Sequence, residues 1–360
     1  MKPIDTKSVR NIVVRSANWI GDAVMSLPTL RAIRNDFPLA RITLLAKPWV
    51  APVFHHCPYI DHIMIYEASG RHKGVPGVLR LSRDMRKNRF DLAVLFQNAF
   101  EAALLAFLAG IPARLGYKTD GRHLLLTHGV PVTVERKKAH QVDYYLGIVE
   151  GANLPSCGNG LSLTVTEAER RQAEAILGRC GIESGDILIG INPGAAFGTA
   201  KRWFPERYAQ LGRRLKALDQ RIRIVVFGGP GEKALGEWIC GTVGKGCMNL
   251  SGMTSLREAI GLIDRCRLFI TNDSGLMHIA AALHVCQLAI FGSTNHVVTA
   301  PFSDESSMIR VCMPCSPCLK PDCPAGHHDC MKAVTVDMVY AEAEKRLVNI
   351  LRESCSGAVE

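Results

Sequence analysis

No apolar run in the sequence reaches the roughly 18–20 residues that a membrane-spanning helix needs. The longest candidate, Ala99 to Ile111, is too short and is interrupted by Glu101. The N-terminal MKPIDTKSVRNIVV has neither a long apolar stretch nor a small-residue cleavage site, so it does not read as an export signal. The expectation is a cytoplasmic chain. Basic residues are dispersed rather than gathered in the blocks that mark nucleic-acid-binding tails. A G-x-x-x-x-G-K-[ST] phosphate loop is missing, and so is a G-x-G-x-x-G turn after the first expected strand. Those two absences argue against a Walker-type nucleotidase and a nicotinamide dehydrogenase. There are no short repeats and no low-complexity tract.

What remains is ample for a globular enzyme. The 360 residues suggest about two domains. Apolar residues make up 48 % and charged ones 21 %, which fits buried cores and excludes wholesale disorder. A formal charge of +10 and a pI near 9.0 favour an anionic partner: a nucleotide, a phosphorylated glycolipid, a membrane surface or nucleic acid. Thirteen cysteines in a long chain without an export signal read as reduced thiols or a metal site rather than disulfides.

Hydrophobic patterning alternates between short apolar runs and helical periodicity. The first half reads as strands at 11–15, 41–45, 62–66 and 91–96, with helices at 22–36, 49–56, 74–88 and 99–109. Residues 113–135 look irregular, and a helix over 139–150 follows. A Gly-, Asn-, Pro- and Ser-containing stretch, 151–165, reads as a linker. The alternation then resumes, with strands at 187–191, 222–227, 268–270 and 287–291. Helices are expected at 166–180, 205–218, 232–243, 275–283 and 336–353. Two α/β halves, each built on a parallel sheet, follow from this pattern.

Four turns fall where open α/β sheets bind ligands, at the carboxyl ends of strands. The first holds Asn18, Gly21 and Asp22; Asp22 reads equally as a helix cap or a catalytic acid–base group. The second, Asn192 to Trp203, offers Gly194, Gly198, Thr199, Lys201 and Arg202, donors suited to a diphosphate; it also reads as an ordinary basic loop. The third runs from Phe227 through Gly228, Gly229 and Gly231 to Glu232, a residue able to bind a ribose hydroxyl or simply to start the next helix. The fourth, Thr271 to His278, leads a strand straight into a helix, so free N–H groups at Ser274 and Gly275 suit an anion. Ser274 and His278 share a helix face, although a buried histidine is often only a core residue.

The strings NWIGDAVMSLPTLRAIR, NPGAAFGTAKRWFPERYAQL and TNDSGLMHIAAAL, in that order, resemble glycosyltransferase family 9, the ADP-heptose:lipopolysaccharide heptosyltransferases. AKRW and NDSGLMH resemble its type II members most. The resemblance covers about residues 11–300. It implies a GT-B fold, with two Rossmann-like domains facing each other across a cleft. On that reading residues 1–165 form an acceptor-binding domain and 166–335 a nucleotide-sugar-binding domain, with a helix at 336–360 packing back on the first. The resemblance also implies an inverting transfer that needs no metal. Position by position, it makes Asp22 the general base, Thr199 and Lys201 phosphate binders, and Glu232 the acid on the nucleoside side. Asp273, Ser274, Gly275 and His278 become the loop that grips diphosphate and heptose, with Lys201 also catalytic. The implied partners are an ADP-heptose donor and the heptosyl-Kdo-lipid A inner core of lipopolysaccharide, met at the inner face of the membrane; nucleic acid is not among them.

Outside that pattern lies a cysteine-rich segment, 312–330. Cys312, Cys315, Cys318, Cys323 and Cys330, with nearby histidines, have spacings that could supply a structural zinc site; free thiols are the equal alternative. Arg71, Lys73, Arg114, Lys118 and Arg122 are candidate contacts for an anionic acceptor, or solvated surface cations. Rival functions are a family 9 enzyme with another core acceptor, a nucleotide-sugar epimerase on the same fold, and a non-enzymatic binder of nucleic acid or membrane.

Overall fold

Runs of Val, Ile and Leu flanked by turn residues build two parallel sheets, each covered by helices. The computed structural model describes the backbone of residues 3–156 and 158–356, and side chains as far as residue 348. The chain divides at Ser162/Leu163 into two units, close to the 165/166 boundary read from the sequence.

In the first unit the strands are β1 (Asn11–Arg15), β2 (Arg41–Ala46), β3 (His62–Ile65), β4 (Leu92–Leu95), β5 (Ala113–Tyr117) and β6 (His128–Val130). Its helices are α1 (Ile20–Met25), α2 (Leu27–Asp36), α3 (Gly74–Lys87), α4 (Phe100–Leu108), α5 (Val134–Lys138) and α6 (Gln141–Glu150). The strand order is β3-β2-β1-β4-β5-β6, with every pair parallel. Strand order therefore reverses between β1 and β4, the place where such sheets open a crevice for ligands.

The second unit repeats the plan. It comprises α7 (Glu167–Arg179), β7 (Ile187–Asn192), α8 (Pro205–Lys216), β8 (Ile222–Val226), α9 (Lys233–Val243), β9 (Cys247–Asn249), α10 (Leu256–Asp264), β10 (Leu268–Asn272), α11 (Gly275–Ala282), β11 (Gln287–Ile290), α12 (His296–Thr299), β12 (Ser306–Ile309), α13 (Asp329–Lys332) and α14 (Val336–Ser356). Order β12-β11-β10-β7-β8-β9 puts its reversal between β7 and β10. All residues of β7 and β10 are buried, as expected of strands covered on both faces. Capping boxes at Thr166/Glu169 and Ser255/Glu258 start α7 and α10.

Several expectations change. The helix read over 22–36 is two helices, because Ser26 ends α1 and Pro28 sits in the first turn of α2. The helix read over 49–56 is only a 3₁₀ turn, Ala51–Phe54. The irregular stretch 113–135 contains β5 and β6. The sequence places the last helix back on the first unit. Its described contacts include α8, β10 and β11, and Val339, Ala343 and Leu347 are buried in the second core. Residues 357–360 of that expected segment lie outside the described residues. Among the described residues no helix is long and apolar enough to cross a membrane.

Candidate functional site

The switch point of the second sheet gathers most of the residues singled out from sequence. β7 and β10 pair in register, with Asn192 opposite Thr271, so the loops that follow them are neighbours. Asn192 fixes that junction: its side-chain amide donates to Thr271 Oγ1 at 3.0 Å and to Ser274 Oγ at 2.8 Å. Asn272 ties the same loops from the other side. Its amide donates to the carbonyls of Pro193 (2.7 Å) and Gly194 (3.3 Å), while its oxygen accepts from Trp203 N–H and Tyr208 O–H, both at 3.0 Å. Both asparagines are buried, so this network is shielded from water and holds the loops rigidly.

Lys201 and Asp273 meet within this frame at 2.8 Å. The ammonium also lies 5.2 Å from the centre of the Phe197 ring. Ser274 caps α11 and accepts from the Met277 N–H at 3.3 Å. Gly275 is the first residue of that helix, so the orphan N–H groups of its first turn lie beside the Lys201–Asp273 pair. His278 is buried one turn further along.

Glu232 belongs to the same frame. It accepts from the Gly229 N–H at 2.8 Å, and Arg202 approaches it at 4.0 Å. A Cβ at Gly194 would lie 1.8 Å from Glu232 Oε1, so only glycine at 194 lets the carboxylate sit there. Thr199 donates to Asp322 Oδ1 at 2.7 Å, a contact with the cysteine-rich segment. The Ala200 N–H donates to the Pro321 carbonyl at 2.9 Å. Gly198 has φ +149°, and a Cβ there would come within 2.2 Å of that same carbonyl. The segment thus braces the loop carrying Thr199 and Lys201.

Within the segment, Cys315, Cys318, Cys323 and Cys330 line one small cavity with His327 and His328. Burial and the three neighbouring sulfurs push the Cys330 thiol up, while backbone N–H groups led by that of His328 hold Cys323 down. Cys312 stands apart from the cavity; its sulfur accepts from Arg310 at 2.9 Å. Among the described residues no group of three or more His, Cys, Asp or Glu side chains is drawn into metal-ligand geometry.

In the first unit Asp22 is the third residue of α1, not its cap, which is Trp19. Tyr145, buried on α6, hydrogen-bonds to the Asp22 side chain; burial and then this carboxylate push the phenol far up, so it stays protonated and donates. Gly21 is an ordinary helical residue with negative φ. Asn18 accepts from Arg15 at 2.9 Å, and its carbonyl accepts from the Trp49 indole at 2.9 Å. Three of the cations offered for an acceptor are committed elsewhere: Arg114 donates to the carbonyls of Leu125, at 2.6 Å, and Ile111. Arg122 is fully buried and donates to the carbonyls of Gln97 and Tyr117, and Arg71 pairs with Asp84 at 2.9 Å.

Tyr145, Asn192 and Asn272 were not singled out from the sequence. Asn192 and Asn272 do close strands ahead of the two ligand turns, a position that could have flagged them; Tyr145 carries no local signal.

The sequence model of glycosyltransferase family 9 (heptosyltransferase) matches residues 78–328. Lipopolysaccharide heptosyltransferase 2 of Escherichia coli K12 is 31 % identical, over 94 % of this chain and 98 % of that one. Lipooligosaccharide heptosyltransferase 2 of Haemophilus influenzae is 30 % identical, over 84 % and 88 %. Among solved structures, E. coli ADP-heptose lps heptosyltransferase II superposes with a TM-score of 0.79 at 28 % identity, covering 94 % of this chain and 99 % of that one. A family 9 glycosyl transferase from Veillonella parvula reaches 0.85 at 24 % identity, covering 97 % and 99 %, which speaks for the fold.

Proposed function

The chain belongs to glycosyltransferase family 9, the heptosyltransferases, and from that premise we propose that it moves a heptose from ADP-heptose onto the inner core of lipopolysaccharide, as a type II enzyme. The observation that carries the reading is the Lys201–Asp273 pair at the β7/β10 switch point, beside the Ser274-capped start of α11.

On this reading the diphosphate lies against the loops after β7 and β10. Lys201 and the first N–H groups of α11 stabilise the charge that gathers on ADP as its bond to the anomeric carbon breaks. These groups are fixed before the reaction, so they can serve in place of a divalent ion. Glu232 takes a ribose hydroxyl. Asp22 removes the proton of the attacking acceptor hydroxyl, and Tyr145 holds its carboxylate in one orientation. The new glycosidic bond forms opposite the departing ADP, which inverts the anomeric centre. His278 is a wall of the heptose site.

We also propose a structural zinc ion in the cysteine-rich segment. Four thiols around one cavity suit it in kind and number, and its task is to hold the brace against Thr199 and Ala200. The enzyme works at the inner face of the membrane, where its glycolipid acceptor resides, and the excess of basic residues favours that surface.

The test is direct. Purified protein is incubated with ADP-L-glycero-D-manno-heptose and heptosyl-Kdo-lipid A, and the glycolipid is weighed by mass spectrometry. A gain of one heptosyl residue with release of ADP is expected. An unchanged glycolipid beside an altered donor would replace this reading with an epimerase.

A further inference from the structure

The first sheet has its own switch point between β1 and β4, and there the chain builds a polar cavity that the chemistry above does not use. Arg15 closes β1 and is 4 % exposed. Its two terminal nitrogens are engaged, by Ser16 O at 2.7 Å and Asn18 Oδ1 at 2.9 Å. Its Nε is buried without a hydrogen-bond partner among the described residues. Lys47 follows β2 and is 9 % exposed. Its ammonium lies 3.8 Å from the centre of the Tyr66 ring, and the Arg15 guanidinium lies 5.3 Å from the same centre. The carboxylate in the lining, Glu101, is held by the Tyr66 hydroxyl.

Two cations have thus been taken out of water and turned toward one ring, and the carboxylate in the lining, Glu101, already accepts from the Tyr66 hydroxyl. Burial lowers both: Arg15 to about 10, and Lys47 further disfavoured by Arg15 itself. Desolvating two like charges side by side costs free energy, and Glu101 and the Tyr66 ring return only part of it. A bound anion would return the rest. The amides of Asn18 and Gln97, also in the lining, add donors suited to oxyanions.

We propose that Arg15 and Lys47 form an anion-binding subsite for a carboxylate or phosphate group carried by the acceptor. This rests on the transferase reading for the identity of the acceptor, but not for the anion binding itself. The subsite lies at the end of β1, and the turn that follows carries Asp22. Holding the acceptor by its acid group there would present a hydroxyl to that base and discriminate against neutral glycans.

The experiment uses the full-length chain saturated with ADP, so that the loops after β7 and β10 are filled. Inorganic phosphate and gluconate are titrated in, and the rise in melting temperature is followed. Lys47→Met should weaken the preferred anion about ten-fold or more, the size of one charge-assisted contact, and raise the acceptor KM by a similar factor. ADP affinity should stay the same, which shows the variant is folded, and Lys47→Arg should restore both readings. Two modified acceptors identify the group: one with its phosphates removed, one with its carboxylates reduced. The KM penalty of Lys47→Met should vanish on the acceptor that lacks the recognised anion. A penalty that persists on both, or equal anion binding in Lys47→Met and the parent, overturns the proposal. Lys47-dependent anion binding in a protein that transfers no heptose would instead sink the transferase reading and leave the subsite standing.

Discussion

Lys201 Nζ lies 2.8 Å from Asp273 Oδ2, and the pair joins the loop after β7 to the loop after β10, with side chains only 16 % and 6 % exposed. A buried partner fixes where the ammonium points, so its direction is set before any donor arrives. Lys201→Ala is expected to weaken ADP binding by about 1.5–3 kcal/mol, the usual worth of a charge-assisted hydrogen bond. Asp273→Asn should also weaken it, because the lysine loses its anchor. The double variant should then be no worse than Lys201→Ala alone. Calorimetric titration of ADP into the four proteins measures this. Strict additivity would mean that Asp273 does not act through Lys201.

Asp22 and Tyr145 form the corresponding pair in the first unit. Asp22→Asn keeps size and hydrogen bonding but removes the base. Turnover should fall roughly 10²–10⁴-fold while ADP-heptose affinity changes little. Tyr145→Phe leaves the base in place without its orienting donor, so a smaller loss in kcat is expected. Steady-state kinetics with saturating donor decide it. Near-parental turnover in Asp22→Asn would return Asp22 to a purely structural place in the first turn of α1.

The parts of this architecture that could be read from sequence are those in which the signal is local. β7 (ILIGIN) is continuously apolar, and the turns after β7 and β10 carry Gly, Asn, Asp and Ser just where the strands end. What escaped is decided by distant partners. β5 (ARLGY) holds an arginine and a glycine, and β9 is three residues long, so neither looks like a strand until its neighbour is in place. Arg122 reads as a surface cation, yet the carbonyls of Gln97 and Tyr117 pull it inside. The last helix shows an apolar face, but only tertiary packing says that α8 receives it. Asp22 was visible in the sequence; Tyr145, more than a hundred residues away, was not.

Asp36 offers a test of pH dependence. It ends α2, where the helix dipole is unfavourable for an anion, and its Oδ2 is buried without a hydrogen-bond partner among the described residues. Burial raises its carboxyl to about 6. Because the folded value lies above the unfolded one, the native state binds the proton more tightly. The associated stability is present below about pH 4 and is lost as pH rises through 6. Asp36→Asn should therefore melt higher than the parent at pH 7.5, and the advantage should shrink steadily toward pH 4.5. Melting curves across that range check the sign; an advantage that grows in acid would contradict it.

The cysteine-rich segment makes the last case, because it separates a metal that holds structure from one that does chemistry. Pro321 and Asp322 fasten the segment to Ala200 and Thr199, one and two residues before Lys201. If a zinc ion gathers Cys315, Cys318, Cys323 and Cys330, removing it frees the brace but touches no reacting atom. Purified protein should then contain about one zinc per chain. A chelator should erode ADP affinity slowly, zinc should restore it, and magnesium should not. Cys318→Ser and Cys323→Ser should lose the metal, whereas Cys312→Ser should keep it, since Cys312 lies outside the cavity. Gly198→Ala provides a metal-free way to disturb the same contact, because its Cβ would strike the Pro321 carbonyl. It should lower ADP affinity while leaving the zinc content intact. Elemental analysis together with ADP titration distinguishes the outcomes. Protein that carries no metal and is indifferent to Cys318→Ser would leave the segment as a brace of free thiols. Immediate silencing by a chelator with rescue by magnesium would place a divalent ion in the transfer step itself.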